Sequence, residues 1–189
     1  MSKLGEVALS AASRRRTSQK VVRPEGGAVP LGPLRILGVD PGLAVTGLGV
    51  LDWDGRRPVV VHHGLLRPPS RGAREKRLAA IHRAVREVIE RFQPARVVLE
   101  DLFYHKSFRA AVRLSEARSM VMLAAAQAGV AVVEYLPTRI KQAVCGNGHA
   151  AKEQVAFMVR QLLQLREPLT ADEADALAVA LCHTHVENR

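Results

Sequence analysis

From Leu34 onward the apolar positions fall into short runs and periodic stripes that can be read as discrete elements. Arg35-Ile-Leu-Gly-Val-Asp40 is a compact apolar run ending in a carboxylate, and it predicts a buried strand. Thr46 to Asp52 predicts a second strand and Val59 to Leu65 a third, with Asp54-Gly55 as the turn between them. These three are expected to form an antiparallel meander. Leu78, Ile81, Val85, Val88, Ile89 and Phe92 recur at helical spacing, and Pro94 ends that helix. Arg96-Val-Val-Leu-Glu100 reads as a short strand entering the core. A long helix follows from near Arg109 to Ala128, with Gly129 as its stop. Its small-residue face of Ala117, Val121, Ala124 and Ala125 suits the core better than a dimer contact. Val130 to Tyr135 is a fifth strand, and two further helices lie beyond the Gly146-Asn147-Gly148 loop. No internal repeat is visible. Hairpin-connected strands followed by alternating helix and strand predict an α/β fold, a five-stranded mixed sheet flanked by helices.

Composition fits that picture. The chain has 189 residues, 48% hydrophobic and 24% charged, which suits one globular domain and excludes a disulfide framework or a collagen-like chain. No run approaches the roughly 18 apolar residues of a membrane helix; Met120 to Val133 is interrupted by Gln127 and Gly129. Two cysteines, Cys145 and Cys182, are too few for a Cys-rich zinc site. A reducing, cytoplasmic setting is expected.

Charge narrows the function. Lys and Arg number 28 against 18 Asp and Glu, a net charge of +10, so a polyanion is the expected partner. Nucleic acid leads; an acidic membrane surface follows, although no basic amphipathic helix stands out. Residues 1–33 hold six basic and two acidic residues and no apolar signal region, and are read as a basic, disordered extension. A transit peptide, a DNA-contacting arm or an early start are the alternatives. Residues 34–189 form the folded part.

The carboxylates supply the chemistry. Asp40 ends the first strand and precedes Pro41-Gly42; Glu100 ends the fourth strand and precedes Asp101. Strand ends are where α/β sheets build sites, and charge beside a core is costly unless it has a purpose. In Thr170-Ala-Asp172-Glu-Ala-Asp175, Thr170 and Glu173 have capping-box spacing, which leaves Asp172 and Asp175 three apart on one helical face. Singly, each has a plain explanation: a turn, a solvated strand end, a favoured helix N-terminus. Together they suggest a site for hard divalent ions, Mg²⁺ or Mn²⁺. On a basic protein, the surface would bring phosphate and the carboxylates would hold the ions that act on it.

Four blocks carry a resemblance. Leu37-Gly-Val-Asp-Pro-Gly42 continuing through Thr46-Gly-Leu-Gly-Val50, Val98-Leu-Glu100 with Phe103, Pro137-Thr-Arg-Ile-Lys141 through Gly146-Asn-Gly148 to Lys152, and Ala171-Asp172-Glu-Ala-Asp175-Ala-Leu-Ala178 together resemble the RuvC family of Holliday-junction resolvases. The resemblance spans residues 34–186. It implies an RNase H-like fold and a homodimer that nicks opposed strands of a four-way DNA junction by two-metal-ion hydrolysis. By position, Asp40, Glu100, Asp172 and Asp175 match the catalytic, metal-holding carboxylates. Phe103 matches an aromatic residue set against bases at the crossover, and Lys141 and Lys152 match lysines near the cut. Lys106, beside Phe103, is a further candidate DNA contact. The resemblance also implies partners of the RuvA and RuvB type, a junction-binding tetramer and a hexameric motor, and no membrane.

Some residues stay open on sequence alone. Phe103 could close the core, and Lys141 could be ordinary helix surface. Arg109 and Arg113, four apart, could meet phosphates or Glu116. His149 could move a proton or be solvated. His183 and His185, two apart, do not share a helical face and so do not suggest a metal site. Competing functions are an RNase H-like nuclease acting on RNA or other branched DNA, a silent junction-binding protein, and a fragment of an actin-like ATPase.

Overall fold

The computed structural model describes residues 33–69, 73–101 and 107–187. Within them the chain runs β1 (Leu34–Asp40), β2 (Thr46–Trp53), β3 (Pro58–Leu66), α1 (Arg74–Phe92), β4 (Arg96–Glu100), α2 (Phe108–Gln127), β5 (Ala131–Tyr135), α3 (Pro137–Cys145), α4 (Lys152–Leu162) and α5 (Ala171–Glu187). The sheet order is β3-β2-β1-β4-β5. β1, β2 and β3 pair antiparallel, and β1, β4 and β5 pair parallel, so the expected mixed sheet is what forms. The Asp54-Gly55 turn joins β2 to β3, with Asp54 Oδ1 accepting from the Arg56 and Arg57 amides and Gly55 at φ +88°. Helix α3 is an element that sequence periodicity did not isolate. Pro137 at its start and Gly146 at its left-handed end delimit it, and its nine residues are too few for a clear stripe.

The central strands are apolar on both faces and the sheet is covered on both sides. On one face Leu37, Val39, Val97 and Leu99 pack with Ile81, Val85 and Ile89 of α1 and with Ala117, Val121, Ala124 and Ala125 of α2. Those four α2 residues are fully buried, as core positions should be. On the other face Ile36, Leu51 and Val98 pack with α3, α4 and α5. Helix α5 is buried around most of its circumference from Ala174 to Thr184, and four of its buried residues are alanines. A helix apolar on all sides belongs in the middle of a structure.

Glycines let α5 lie this deep. A Cβ on Gly38 of β1 would stand 2.1 Å from the Ala176 carbonyl oxygen, and one on Gly47 of β2 would stand 2.0 Å from the Asp172 carbonyl oxygen. Small residues on both surfaces bring backbone against backbone. Their place in the sequence sets which turn of α5 lies over which end of the sheet.

Gly38→Ala should therefore force α5 off the sheet. The expected cost is at least about 3 kcal/mol, the upper end for overpacking, because a rigid backbone atom blocks the new methyl group. Thermal unfolding measures it: a fall of roughly 6 °C or more is expected for a domain this size. An unchanged melting temperature would contradict the packing described.

Candidate active site

β1 and β4 are parallel neighbours, with Val39 opposite Leu99, so their carboxyl-terminal residues Asp40 and Glu100 emerge side by side at one edge of the sheet. Side chains alternate along a strand. Asp40 shares the face of Ile36, and Glu100 that of Val98, and both of those pack toward α5. Asp40 is paired across the antiparallel ladder with Gly47, the glycine beneath the Asp172 backbone. The first turn of α5 thus rests over the end of β1.

The start of α5 is built as the sequence spacing indicates. Thr170 Oγ1 accepts from the Glu173 amide at 3.3 Å, and Glu173 Oε2 accepts from the Thr170 amide at 3.0 Å and from its hydroxyl at 2.7 Å. The other Glu173 oxygen is 2.8 Å from His63 Nδ1, tying the helix start to β3. Glu173 is therefore fully engaged away from the cleft, while Asp172 and Asp175 remain near Asp40.

The cleft has a volume of about 380 Å³ and is lined by Asp40, Glu100, Asp175, Lys141, Lys152 and Arg118 among others. Burial first, then the negative charges of Asp175, Asp172 and Glu100, push the Asp40 carboxyl up to about 7. All four predicted carboxylates are thus brought into one electrostatic neighbourhood, although Asp172 faces the adjoining groove rather than the cleft itself. Among the described residues no three acidic, histidine or cysteine side chains converge closely enough to hold an ion as they stand. Lys152, the first residue of α4, places its Nζ 3.0 Å from Asp175 Oδ2, and that hydrogen bond, then the Asp175 charge, raises its own pKa. Lys141 of α3 lines the same cleft, so both predicted lysines face the carboxylates.

Two other arrangements fix the strand ends. Thr46, fully buried, donates to the Gly42 carbonyl at 2.9 Å and accepts from the Gly42 amide at 3.2 Å, bracing the Pro41–Val45 turn after Asp40. Arg118 of α2, only 7% exposed, donates to the Glu100 carbonyl and to the Glu134 carboxylate. From the cleft wall it anchors the last peptide of β4. Sequence reasoning did not single out Arg118; a signal was its i+3 spacing from Val121 on the buried stripe of α2. The loop before Lys152 is held by Gln142, which accepts from the Gly148 amide at 3.1 Å and donates to the Gly146 carbonyl at 2.8 Å.

The open residues resolve unevenly. Phe103 and Lys106 lie outside the described residues. Glu116 pairs with Arg74, not with Arg109 or Arg113. His149 is exposed and absent from the cleft lining. His183 is buried, with Nδ1 2.8 Å from the Tyr135 hydroxyl, and His185 Nδ1 is 2.9 Å from the Leu181 carbonyl of its own helix. Cys145 and Cys182 are both free thiols.

A β3-β2-β1-β4-β5 sheet with acidic side chains at the ends of β1 and β4, and two more on the closing helix, defines an RNase H-like domain of the nuclease class. The particular family follows from direct comparison. The family model for crossover junction endodeoxyribonuclease RuvC matches residues 36–183, and the chain belongs to that family. A crossover junction endodeoxyribonuclease RuvC of Halorhodospira halophila is 48% identical over 151 residues, covering 80% of this chain and 90% of that one. The corresponding Bradyrhizobium diazoefficiens protein is 43% identical over 159 residues, covering 84% and 91%. Thermus thermophilus RuvC, solved in complex with a Holliday junction substrate, superposes with a TM-score of 0.77 at 38% identity, covering 82% of this chain and 95% of that one.

The raised Asp40 carboxyl has a stability consequence. With chelator present, it titrates near 7 in the folded protein and near 3.8 when unfolded, so the folded state binds the extra proton between those values. Stability contributed by this group therefore falls as pH rises from about 4 to about 7. Asp40→Asn removes the effect. The variant should melt close to wild type at pH 4 and about 4 °C or more above it at pH 8, read by thermal unfolding. A gap that does not widen with pH would contradict the electrostatic account.

Proposed function

We propose that this chain is a structure-selective DNA endonuclease that resolves four-way junctions by paired, symmetric nicks on opposed strands. The observation that carries the proposal is the cleft at the ends of β1 and β4, where Asp40, Glu100 and Asp175, with Asp172 at its margin, face Lys141 and Lys152. Family membership supports the substrate, since the Thermus thermophilus relative was solved with a Holliday junction. A homodimer suits a junction with approximate two-fold symmetry, because each subunit can address one of two equivalent strands. Membership also supports partners of the RuvA and RuvB type and a cytoplasmic role in recombination and repair. No helix among the described residues is long and apolar enough to cross a membrane.

The donor chemistry fits hard divalent cations. The potential metal donors around Asp40 are carboxylate oxygens, and burial first, then their repulsion, holds that carboxyl near 7 against the opposing charge of Lys152. Asp40, Glu100, Asp172 and Asp175 would hold two Mg²⁺ or Mn²⁺ ions. When bound, such a pair activates water and stabilises a departing 3′ oxygen. The chain's own residues do the remaining work. Lys152 and Lys141 draw the scissile phosphate to the carboxylates, with Lys152 sited at the first position of α4, where a phosphate finds free backbone amides. Arg118 holds the Glu100 peptide in place while the strand is bound. Phe103 and Lys106, outside the described residues, are proposed to meet the bases and backbone at the crossover by stacking and charge. Residues 1–33 are proposed to be a basic extension to the nuclease domain at 34–189.

The test uses a synthetic four-way junction with a mobile core and a linear duplex of the same sequence, each with Mg²⁺, Mn²⁺ or chelator. Paired nicks on opposed strands are expected on the junction alone and only with metal. Asp40→Asn should cut at least about 1,000-fold more slowly, a loss of roughly 4 kcal/mol of transition-state stabilisation, while still binding the junction. Equal cutting of both DNAs, or full activity of the variant, would refute the assignment.

A further inference from the structure

Beside the carboxylate cleft lies a second, broader groove of about 920 Å³, between the starts of α1 and α2 and the turn after β1. Four arginines line it: Arg74 and Arg77 from α1, Arg109 and Arg113 from α2. Leu114 lines both cavities, and Asp172 stands at the groove's margin, so the groove is continuous with the cleft. We infer that this groove is a phosphate track that binds the sugar–phosphate backbone of a DNA arm as it leaves the cleft, a reading that rests on the nuclease function proposed above.

Several observations point to a polyanion there. Arg109 and Arg113 are exposed on successive turns of one helical face and make no ion pair among the described residues. Arg74 is paired with Glu116, which orients it along the same wall. Gathering four guanidinium groups around one groove is repulsive, which Glu116 on Arg74, Glu75 in the first turn of α1 and Asp172 in the lining offset only in part, and those in the first turns also oppose the positive ends of the helix dipoles. The first turn of α2 holds no acidic residue to offset this. A chain of phosphates relieves the repulsion, and guanidinium forks match phosphate oxygens in geometry. Phe108, 83% exposed at the first position of α2, adds an aromatic surface beside Arg109, a combination that suits nucleic acid better than an isolated anion. The position also fits. A strand with one phosphate at Asp40 must leave the cleft along a continuous surface, and the way past Leu114 is lined with positive charge.

The test is the salt dependence of binding. The full chain, with chelator present, is titrated against the labelled four-way junction and the linear duplex across about 50 to 200 mM salt. Arg109→Ala with Arg113→Ala should lower the slope of log affinity against log salt by about 1.8, roughly 0.9 for each phosphate that is no longer neutralised. Arg109→Lys with Arg113→Lys keeps the charge and should retain most of the wild-type slope. An unchanged slope in the alanine pair, or an equal fall in the lysine pair, overturns the phosphate track. Absence of any wild-type preference for the junction would instead overturn the proposed function; a slope change on both DNAs would then still support the groove as a phosphate site.

Discussion

The architecture depends on one close approach, the seating of α5 against β1 and β2. Gly38 and Gly47 leave no room for a Cβ beneath Ala176 and Asp172, so helix backbone rests on strand backbone. Alanines on the helix complete the fit. Because Gly47 is the ladder partner of Asp40, this contact also sets the first turn of α5 over the end of β1. Packing and chemistry are thus decided by the same few residues. A larger side chain at either glycine would move Asp172 and Asp175 away from Asp40 as well as loosen the core.

Around that contact the charges are arranged in opposition. Four carboxylates gather at one edge of the sheet, and burial first, then their charges, push the Asp40 carboxyl up to about 7. Lys152, hydrogen-bonded to Asp175, offsets part of it by its own charge. Arg118 does a different task, binding the carbonyl at the end of β4 and the Glu134 carboxylate. Arg118 and Thr46, the buried polar side chains beside the strand ends, are both hydrogen-bonded, as burial requires. The net charge of +10 is likewise not spread evenly: lysines border the cleft and arginines the groove next to it.

Much of the fold was legible because its signals are local. The five strands, the helix ending at Phe92, the long helix read to Ala128 and found to end at Gln127, and the capping box at Thr170 follow from periodicity and from Pro, Gly and Thr at element ends. The bounds of helix α3 were not read, although Lys141 was weighed as helix surface, because nine residues give too short a stripe. The carboxylates were legible as a set because each ends a strand or opens a helix. Arg118 and Thr46 were not, since their partners lie in other elements or across a turn whose path the sequence does not specify.

By itself, then, the sequence determined the strand and helix inventory, the basic character of the surface and the identity of four acidic residues placed at element ends. These depend on local backbone preference and on side-chain chemistry. Only the tertiary structure decided that β1 and β4 are adjacent and parallel, that Asp172 borders the cleft while Asp175 enters it, that Glu116 takes Arg74 rather than Arg109 or Arg113, and that the arginines of two separate helices share one groove. The physical reason is that like charges assemble only when burial elsewhere holds them together, and that burial is a property of the packed sheet and helices rather than of any one segment.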